Sequence, residues 1–392
     1  MQKIVTGIDI GSYHVKVVIA EHPDDPRQAP RILGTGYAES RGLRQGYIVS
    51  IPDISRSISA AIAQASKAAN HKVKRVFLSV GGVGLDEAFA RGETVVERGD
   101  SYITDRDIPR ALDAAQAALP PSATLNRKII HRIPLRYSVD GATVLARSPI
   151  GMKGTRISVE TIFITCLESH VNDLVSAVEE AGVEVEDVVA APIAASFVAL
   201  TKTQKRVGCI LANIGSETLS IVVFEDTVPI SLKVFPVGAA DITHDLALGL
   251  RIAPEEAEQL KVGAVLGSPY PKKKVDDLIS RRINDMFKLV DAHLKKIGKN
   301  ELLPGGIILT GGGSSIQTMS DLAKAVLRLP SRVAALTEGA ASKVQLRDGS
   351  WAVAYGLTIW GFTQGGDLEQ PSDHGIKDLF SGLFRYLKKF LP

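Results

Sequence analysis

Two cysteines in 392 residues, Cys166 and Cys209, stand far apart in apolar surroundings and without CxxC spacing. A disulfide framework or a cysteine-ligated metal site is therefore not expected, and two buried, reduced thiols are. Long apolar runs are also missing: no stretch approaches the ~18 residues a spanning helix needs. The opening MQKIVTGIDIG passes directly into a strand-like pattern with no signal-peptide core, so the chain is expected to start life in the cytoplasm. Nor is there a large excess of either charge. A formal net charge of +3 argues against a general nucleic-acid binder, and no nucleic-acid partner is expected. What is present, 45% hydrophobic and 23% charged residues, is ordinary for a globular chain long enough to build two or more domains with their own cores.

The small positive excess is concentrated at the end of the chain. Between residues 376 and 391, Lys377, Arg385, Lys388 and Lys389 face a single anion, Asp378, which leaves the rest near neutral.

Along the chain, KIVTGIDIGSYHVKVVIAEH reads as two β-branched runs joined by a Gly-Ser turn, an N-terminal hairpin. Ile54, Ile58, Ala61, Ile62 and Ala65 then recur at helical spacing behind Pro52-Asp53. VKRVFLSVGG is a buried strand ending in glycines. From about residue 84 to 163 the texture changes to polar, alternating strands around one helix that stops at Pro120-Pro121, which reads as an inserted α+β module. ETIFITC returns to a buried strand, and ESHVNDLVSAVEEAG is a helix with a glycine C-cap. RVGCILANIGSETLSIVVFED then repeats the opening pattern of strand, Gly-rich turn and strand. Residues 253–300 are helix-rich, GGIILTGGGSSIQTMSDLAKAVL reads strand, glycine turn and helix, and SWAVAYGLTIWGF is a last apolar helix. The two matched hairpins imply an α/β architecture of two similar halves.

Three Gly-rich turns follow three buried strands: Gly11-Ser12, Gly215-Ser216 and Gly311-Gly312-Gly313. Glycine lets backbone N–H groups approach a phosphate without a Cβ in the way, and a helix starting directly after Gly313 would add its positive end. One such turn is usually just a turn, but three in one chain point to a nucleotide held between the halves.

These residues carry a resemblance. GIDIGSYHVKVVIA, ILANIGSETLSIVVFED, IILTGGGSSI and WAVAYGL fall in the order of the actin/Hsp70/sugar-kinase ATPase superfamily. Within it the chain resembles the FtsA family of actin-like bacterial cell-division proteins. GYIVSIPDISRSI is similar to that family's approach to its first helix, HRIPLRYSVDG…SPIGMKGTRISVETIFITC to its inserted subdomain and exit strand, and APEEAEQLKVGAVLGS to its nucleotide-side helix. The resemblance runs from residue 3 to the end. It implies a two-lobed actin-like fold: a first lobe over 1–83, 164–200 and 350–362, an inserted subdomain over 84–163, and a second-lobe core over 201–240 and 305–349. It further implies a helical nucleotide-side subdomain over 241–304, a linker over 363–375 and an amphipathic helix over 376–392.

The resemblance implies ATP and Mg²⁺ as cofactors. Gly11, Ser12 and Tyr13 would line the first phosphate loop with Lys16 nearby, and Asp9 would sit near the Mg²⁺, through water. Asn213, Gly215, Ser216 and Glu217 would form the second loop; Gly311, Gly312 and Gly313 would approach the adenosine, and Glu258 and Lys261 the ribose and base. Plainer readings stay open: Asp9 capping its own turn, and Glu258–Lys261 as an exposed helix pair.

Two departures bear on chemistry. The superfamily's second phosphate turn usually reads Asp-x-Gly-Gly-Gly-Thr, whereas here it is Asn213-Ile214-Gly215-Ser216-Glu217-Thr218. Asn213 brings no charge to a metal shell, and Glu217 puts a carboxylate where phosphates approach unless it points outward. In VVAAPIAASF the residue before the proline, a water-orienting glutamate in hydrolysing relatives such as MreB, is Ala191. Slow hydrolysis or none is expected, unless another group such as Glu217 positions the water; no catalytic residue is assigned.

In the terminal segment Ile376, Leu379, Phe380, Leu383, Phe384, Leu387, Phe390 and Leu391 form one helical stripe, with Lys388 among the flanking cations. This composition suits a helix lying in a bilayer interface, reversible singly and held by avidity in a polymer. A helix docked on protein is the alternative; the polar tether 363–375 favours the membrane. The leading expectation is a peripheral protein on the cytoplasmic face at the division site. The resemblance implies self-assembly, anionic lipids, the C-terminal peptide of FtsZ, and other division proteins as partners. The FtsZ contact would fall in 241–304, where Lys272-Lys273-Lys274 offers charge to an acidic peptide or is simply a solvated loop. The competing expectations are a PilM-like pilus-assembly platform and a small-molecule kinase of the same superfamily; a chaperone is excluded by the missing substrate-binding half.

Overall fold

The computed structural model describes residues 4–22, 28–97, 99, 101–146, 148–263, 270–336, 339, 342–346 and 348–364. Two five-stranded sheets dominate. The first runs Glu184–Ala190, Arg75–Val80, Ile4–Ile10, His14–Glu21, Arg31–Glu39 across its width; the second runs Ser331–Val333, Ile307–Thr310, Cys209–Ile214, Leu219–Glu225, Val228–Phe235. Each combines an antiparallel meander of three strands with two further strands parallel to the first of the three. The duplication expected from the hairpins is present down to strand order.

The strands are β-branched runs buried on both faces because helices cover both sides. On the first sheet lies helix Ile51–Ala69, whose Ile54, Ile58, Ala61 and Ala65 are fully buried. Its approach is close: a Cβ on Gly36 would stand 2.0 Å from the Ala61 carbonyl oxygen. Helices Glu168–Glu180, Ala191–Ala199 and Ala352–Gln364 complete this lobe, the last two crossing where Gly356 meets Ala194. The final helix runs through Gln364, so residues 363 and 364 belong to it and not to a tether. On the second sheet, helices Ala239–Leu250, Pro254–Lys261 and Lys272–Lys296 bury Ile242, Leu246, Ile283, Met286 and Phe287 in that lobe's own core. Lys272, Lys273 and Lys274 are exposed on the first turn of the last of these helices and are not a loop.

The insert is an antiparallel sheet in the order Asp86–Val95, Arg156–Leu167, Arg127–Val139, Ala142–Thr143, covered on one face by helix Asp107–Ala117 through Ala111, Leu112 and Ala115. A second, four-residue helix, Pro121–Thr124, comes after the predicted stop. Strand Arg156–Leu167 serves two cores: Ile157, Val159 and Phe163 pack inside the insert, while Ile162, Ile164 and Cys166 pack into the first lobe. The insert also touches the second lobe. The Glu87 carboxylate accepts hydrogen bonds from the Leu232 amide and the Ser231 hydroxyl on edge strand Val228–Phe235, and His293 Nε2 lies 2.8 Å from that hydroxyl. Asp86 and Lys233 add an ion pair at 3.5 Å. Burial pushes the Glu87 carboxyl above its ordinary pKa, against the two bonds that favour its charged form.

Lobe joins lobe through helix Ala191–Ala199 and the short helix Lys202–Val207. Here Lys205 Nζ lies 5.1 Å from the Phe197 ring centre and 4.8 Å from that of Phe224, one ring from each lobe, and donates to Ser196 Oγ at 3.2 Å. Burial lowers its pKa to about 8. Nearby, the Ala190 amide donates to His131 Nε2 at 3.0 Å, which fixes that imidazole as the neutral Nδ1–H tautomer; burial lowers its pKa to about 3. Both cysteines are buried and free, with burial raising Cys166 to about 11 and Cys209 to about 12. Among the described residues no helix is long and apolar enough to cross a membrane.

Candidate nucleotide site

The two Gly-Ser turns close alike. The Gly11 amide donates to the His14 carbonyl at 3.2 Å and the Gly215 amide to that of Thr218 at 2.8 Å, leaving two-residue tips, Ser12-Tyr13 and Ser216-Glu217. Ser40 supports the first turn, its hydroxyl donating to the Gly11 carbonyl and its amide to that of Tyr13. Tyr13 is exposed and meets the His14 ring edge-on at 4.5 Å.

Just inside the first turn, Asp9 and Lys16 are cross-strand partners, and Ser79 Oγ, from the parallel neighbour, donates to Asp9 Oδ1 at 2.8 Å. One carboxylate oxygen of Asp9 is thus engaged by the neighbouring strand. Burial raises its pKa, opposed by Lys16 and the Ser79 bond; burial lowers that of Lys16, opposed by Asp9 and Asp348. Lys16 Nζ also lies 6.0 Å from the centre of the Trp351 ring.

The second turn is bolted to the next helix in the chain. The amides of Ala239 and Ala240, opening helix Ala239–Leu250, donate to the carbonyls of Gly215 and Ser216 at 2.9 and 2.8 Å. Three glycines press on this turn: a Cβ on Gly238 would stand 2.2 Å from the Ser216 carbonyl oxygen, on Gly311 2.4 Å from Asn213 Oδ1, and on Gly313 2.5 Å from Ile214 Cγ2. Gly312 differs, being exposed and with nothing within 4 Å of an added Cβ. The triple glycine thus divides into two packing positions and one open one.

Two expectations need correction. No α-helix starts directly after Gly313; a 3₁₀ turn, Gly312–Ser315, intervenes and the helix begins at Met319. The cause is local: the Ser314 amide and hydroxyl both donate to the Gly311 carbonyl and the Ser315 hydroxyl to that of Gly312, tightening the turn. Glu258 and Lys261 are not an exposed pair either. The Lys261 side chain is only 7% exposed, and its Nζ donates to Glu258 Oε2 at 2.6 Å, Thr243 Oγ1 at 2.9 Å and the Ala239 carbonyl at 3.1 Å. Both residues clamp the start of helix Ala239–Leu250 from behind the second turn.

Sequence reasoning missed the hairpin Leu43–Arg44/Tyr47–Ile48 and, although it saw the glycines ending strand Arg75–Val80, gave the Gly81-Gly82 turn beneath that hairpin no part in the site. Gln45 and Gly46, at φ 51° and 86°, form a type I′ tip, and a Cβ on Gly46 would stand 2.8 Å from Gly82 Cα. Tyr47 packs on His170 at 4.9 Å, whose Nε2 donates to the Gly81 carbonyl at 3.1 Å. At its tip the hairpin reaches the other lobe, where the Gln45 amide donates to the Glu217 carboxylate. The duplication held the signal: Gly81-Gly82 succeeds Arg75–Val80 as Gly311-Gly312 succeeds Ile307–Thr310. Ala191 sits beside Gly81, 3.6 Å from where its Cβ would be, and offers no side-chain oxygen. Ile376, Leu379, Phe380, Leu383, Phe384, Leu387, Lys388, Phe390 and Leu391 lie outside the described residues.

Chemically, the first turn presents a carboxylate, a hydroxyl and an ammonium; the second presents backbone groups, the Ser216 hydroxyl and, at its tip, the Glu217 carboxylate held by the Gln45 amide. Among the described residues no cluster of three or more His, Cys, Asp or Glu could cage a metal by itself.

Comparison with known proteins bears on identity. The model of cell division protein FtsA matches residues 210–356, and that of the SHS2 domain inserted in FtsA matches 88–165. FtsA of Pseudomonas aeruginosa is 26% identical over 386 residues, spanning 93% of this chain and 91% of its own. FtsA of Enterococcus hirae is 30% identical over 343 residues, spanning 82% and 75%. Among solved structures, the PilM–PilN type IV pilus biogenesis complex aligns at TM-score 0.67 and 16% identity over 91% of this chain and 98% of the other. MreB5 of Spiroplasma citri bound to ADP aligns at 0.53 and 12%, over 92% and 97%. At such identities these two show the fold alone, that of the actin-like ATPases, while the sequence relatives and both models concur on the lineage. The chain belongs to the FtsA family of cell-division proteins.

Proposed function

We propose that the chain binds ATP with Mg²⁺ between its lobes, self-assembles, and ties the FtsZ ring to the cytoplasmic membrane at mid-cell. The observation that carries the nucleotide reading is the Asp9–Lys16–Ser79 arrangement under the first turn. Its donor set suits the group: Lys16 supplies a cation for phosphate oxygens, and Asp9 an acceptor for the water shell of a hard divalent ion, which keeps several waters. Gly11, Ser12, Tyr13, Gly215 and Ser216 would offer backbone and hydroxyl donors, Asn213 a neutral acceptor, and Gly312 the open surface for the adenosine. Gly311, Gly313, Glu258 and Lys261 would act by shaping the second turn. Mg²⁺, when bound, would neutralise phosphate charge; the chain's own part is to position and to desolvate.

Hydrolysis is slow on this reading, because nothing at Ala191 orients a water. A single-turnover rate on the order of 1 s⁻¹ or faster overturns that. For binding, calorimetric titration of the full chain with ATP and Mg²⁺ should give a clear isotherm that Lys16→Met abolishes; an unaltered isotherm rejects the site. For the membrane, the stripe from Ile376 to Leu391 should pellet the chain with anionic liposomes, more so with ATP, and truncation after Gly375 should leave it in solution. If both forms stay soluble, the terminal segment docks on protein and the tether reading fails. The recruitment of FtsZ and of further division proteins rests on family membership.

A further inference from the structure

Among the described residues, the hydrogen bond from Gln45 to Glu217 joins a phosphate turn of one lobe to a turn of the other. Its chemistry is unusual for such a position. A carboxylate sits at the tip of a turn read as a phosphate loop, and it is satisfied by a backbone N–H of the kind that phosphate loops offer to anions. The amide is held in place: Gln45 and Gly46 both take positive φ, and Gly46 lies flush on Gly82, so the tip is fixed against the first lobe. At its base Tyr47 packs on His170, which in turn holds the Gly81 carbonyl. The hairpin is therefore anchored on the first lobe and fastened to the second through one carboxylate.

We infer that Glu217 is a stand-in anion, occupying the Gln45 amide until a terminal phosphate takes its place. The inference rests on the nucleotide reading above and deepens it. One N–H serves one strong acceptor, and two anions at that spot repel, so a terminal phosphate must displace the carboxylate. A diphosphate has no terminal group to make the exchange and leaves the latch fastened. Glu217 thus lowers affinity for the triphosphate selectively, and its release frees the hairpin Leu43–Ile48 from the second lobe. The hairpin reports which nucleotide is bound.

The test uses the full chain titrated with ADP and with a non-hydrolysable ATP analogue, each with Mg²⁺, by calorimetry and by fluorescence of Trp351 beside Lys16. Glu217→Gln keeps an oxygen for the Gln45 amide but removes the charge. It should tighten the analogue by about tenfold and ADP by less than about twofold. Gly46→Ala forces the tip off Gly82 and should weaken the analogue while sparing ADP. Equal shifts for both ligands in Glu217→Gln, or no shift, overturn the latch while leaving the nucleotide site intact. A parent chain that binds neither ligand fails the nucleotide reading itself, and the latch with it.

Discussion

The two lobes are the same sheet built twice, and they differ where it matters. Asp9 faces Lys16 across the first hairpin; at the corresponding place in the second, Asn213 faces Ser220. A half-buried, opposed pair of charges in one lobe is a neutral pair in the other. The hydroxyl on the parallel neighbour has changed allegiance as well: Ser79 donates to Asp9, whereas Thr310 donates to the Gly349 carbonyl. Duplication preserved the strand order and the turn geometry, and the chemistry settled on one copy. At this paired position the first lobe carries charge and the second is neutral; the second lobe's charge, Glu217, sits at the tip of its turn instead.

The largest test of that division is Lys16→Met, which leaves the half-buried Asp9 carboxylate without its cationic partner. It should cost about 3 kcal/mol in chemical denaturation and weaken nucleotide binding on the order of 100-fold. The matched change Ser220→Ala should cost under about 1 kcal/mol. If the two cost the same, the lobes are not specialised in this way. Within the second lobe, Gly313→Ala should cost about 1–3 kcal/mol because its Cβ meets Ile214 and Ala239. Gly312→Ala should leave the melting temperature almost unchanged and lower nucleotide affinity; a reversed order would reassign the open position. Between the lobes, Lys205→Met should raise stability by about 1–2 kcal/mol near neutral pH, the depressed lysine pKa outweighing the lost contacts with Phe197 and Phe224. A lower melting temperature would show the cation–ring contacts to be the larger effect.

The smallest effect is a pH limb. The folded-state pKa of Asp9 is raised, so its contribution to stability is complete below its unfolded value of about 3.9 and is lost as pH climbs through the folded value. Asp9→Asn makes the first lobe resemble the second. Urea midpoints from pH 4 upward should fall less steeply in the variant than in the parent. Parallel profiles would mean that Lys16 and Ser79 compensate the buried charge in full.

The parts of this molecule that are readable from sequence are those settled by neighbours in the chain. Both hairpins are β-branched runs around a two-residue tip, and the helix over Ile51–Ala69 shows its buried stripe directly. The family signal in the turns and the insert is likewise local. What sequence misplaced depends on distant partners. Glu258 and Lys261 have the i, i+3 spacing of any surface pair, and only Thr243 and the Ala239 carbonyl make theirs a clamp. Glu217 is 172 residues from the amide that holds it, and the hairpin presenting that amide is two residues per strand, too short for any periodicity. The 3₁₀ turn after Gly311 turned on which carbonyls two serine hydroxyls would choose.

The hold of Glu87 on the second lobe has a consequence for solubility. Strand Val228–Phe235 is the margin of its sheet, and a bare margin offers its amides to any passing strand. The insert blunts that margin with a carboxylate on the Leu232 amide and an aspartate against Lys233. Excising the module would take Ile130, Ile133 and Ile162 out of the first-lobe core and would also expose a template for stacking one molecule upon another. The module is therefore a guard against aggregation as much as an ornament on the first lobe.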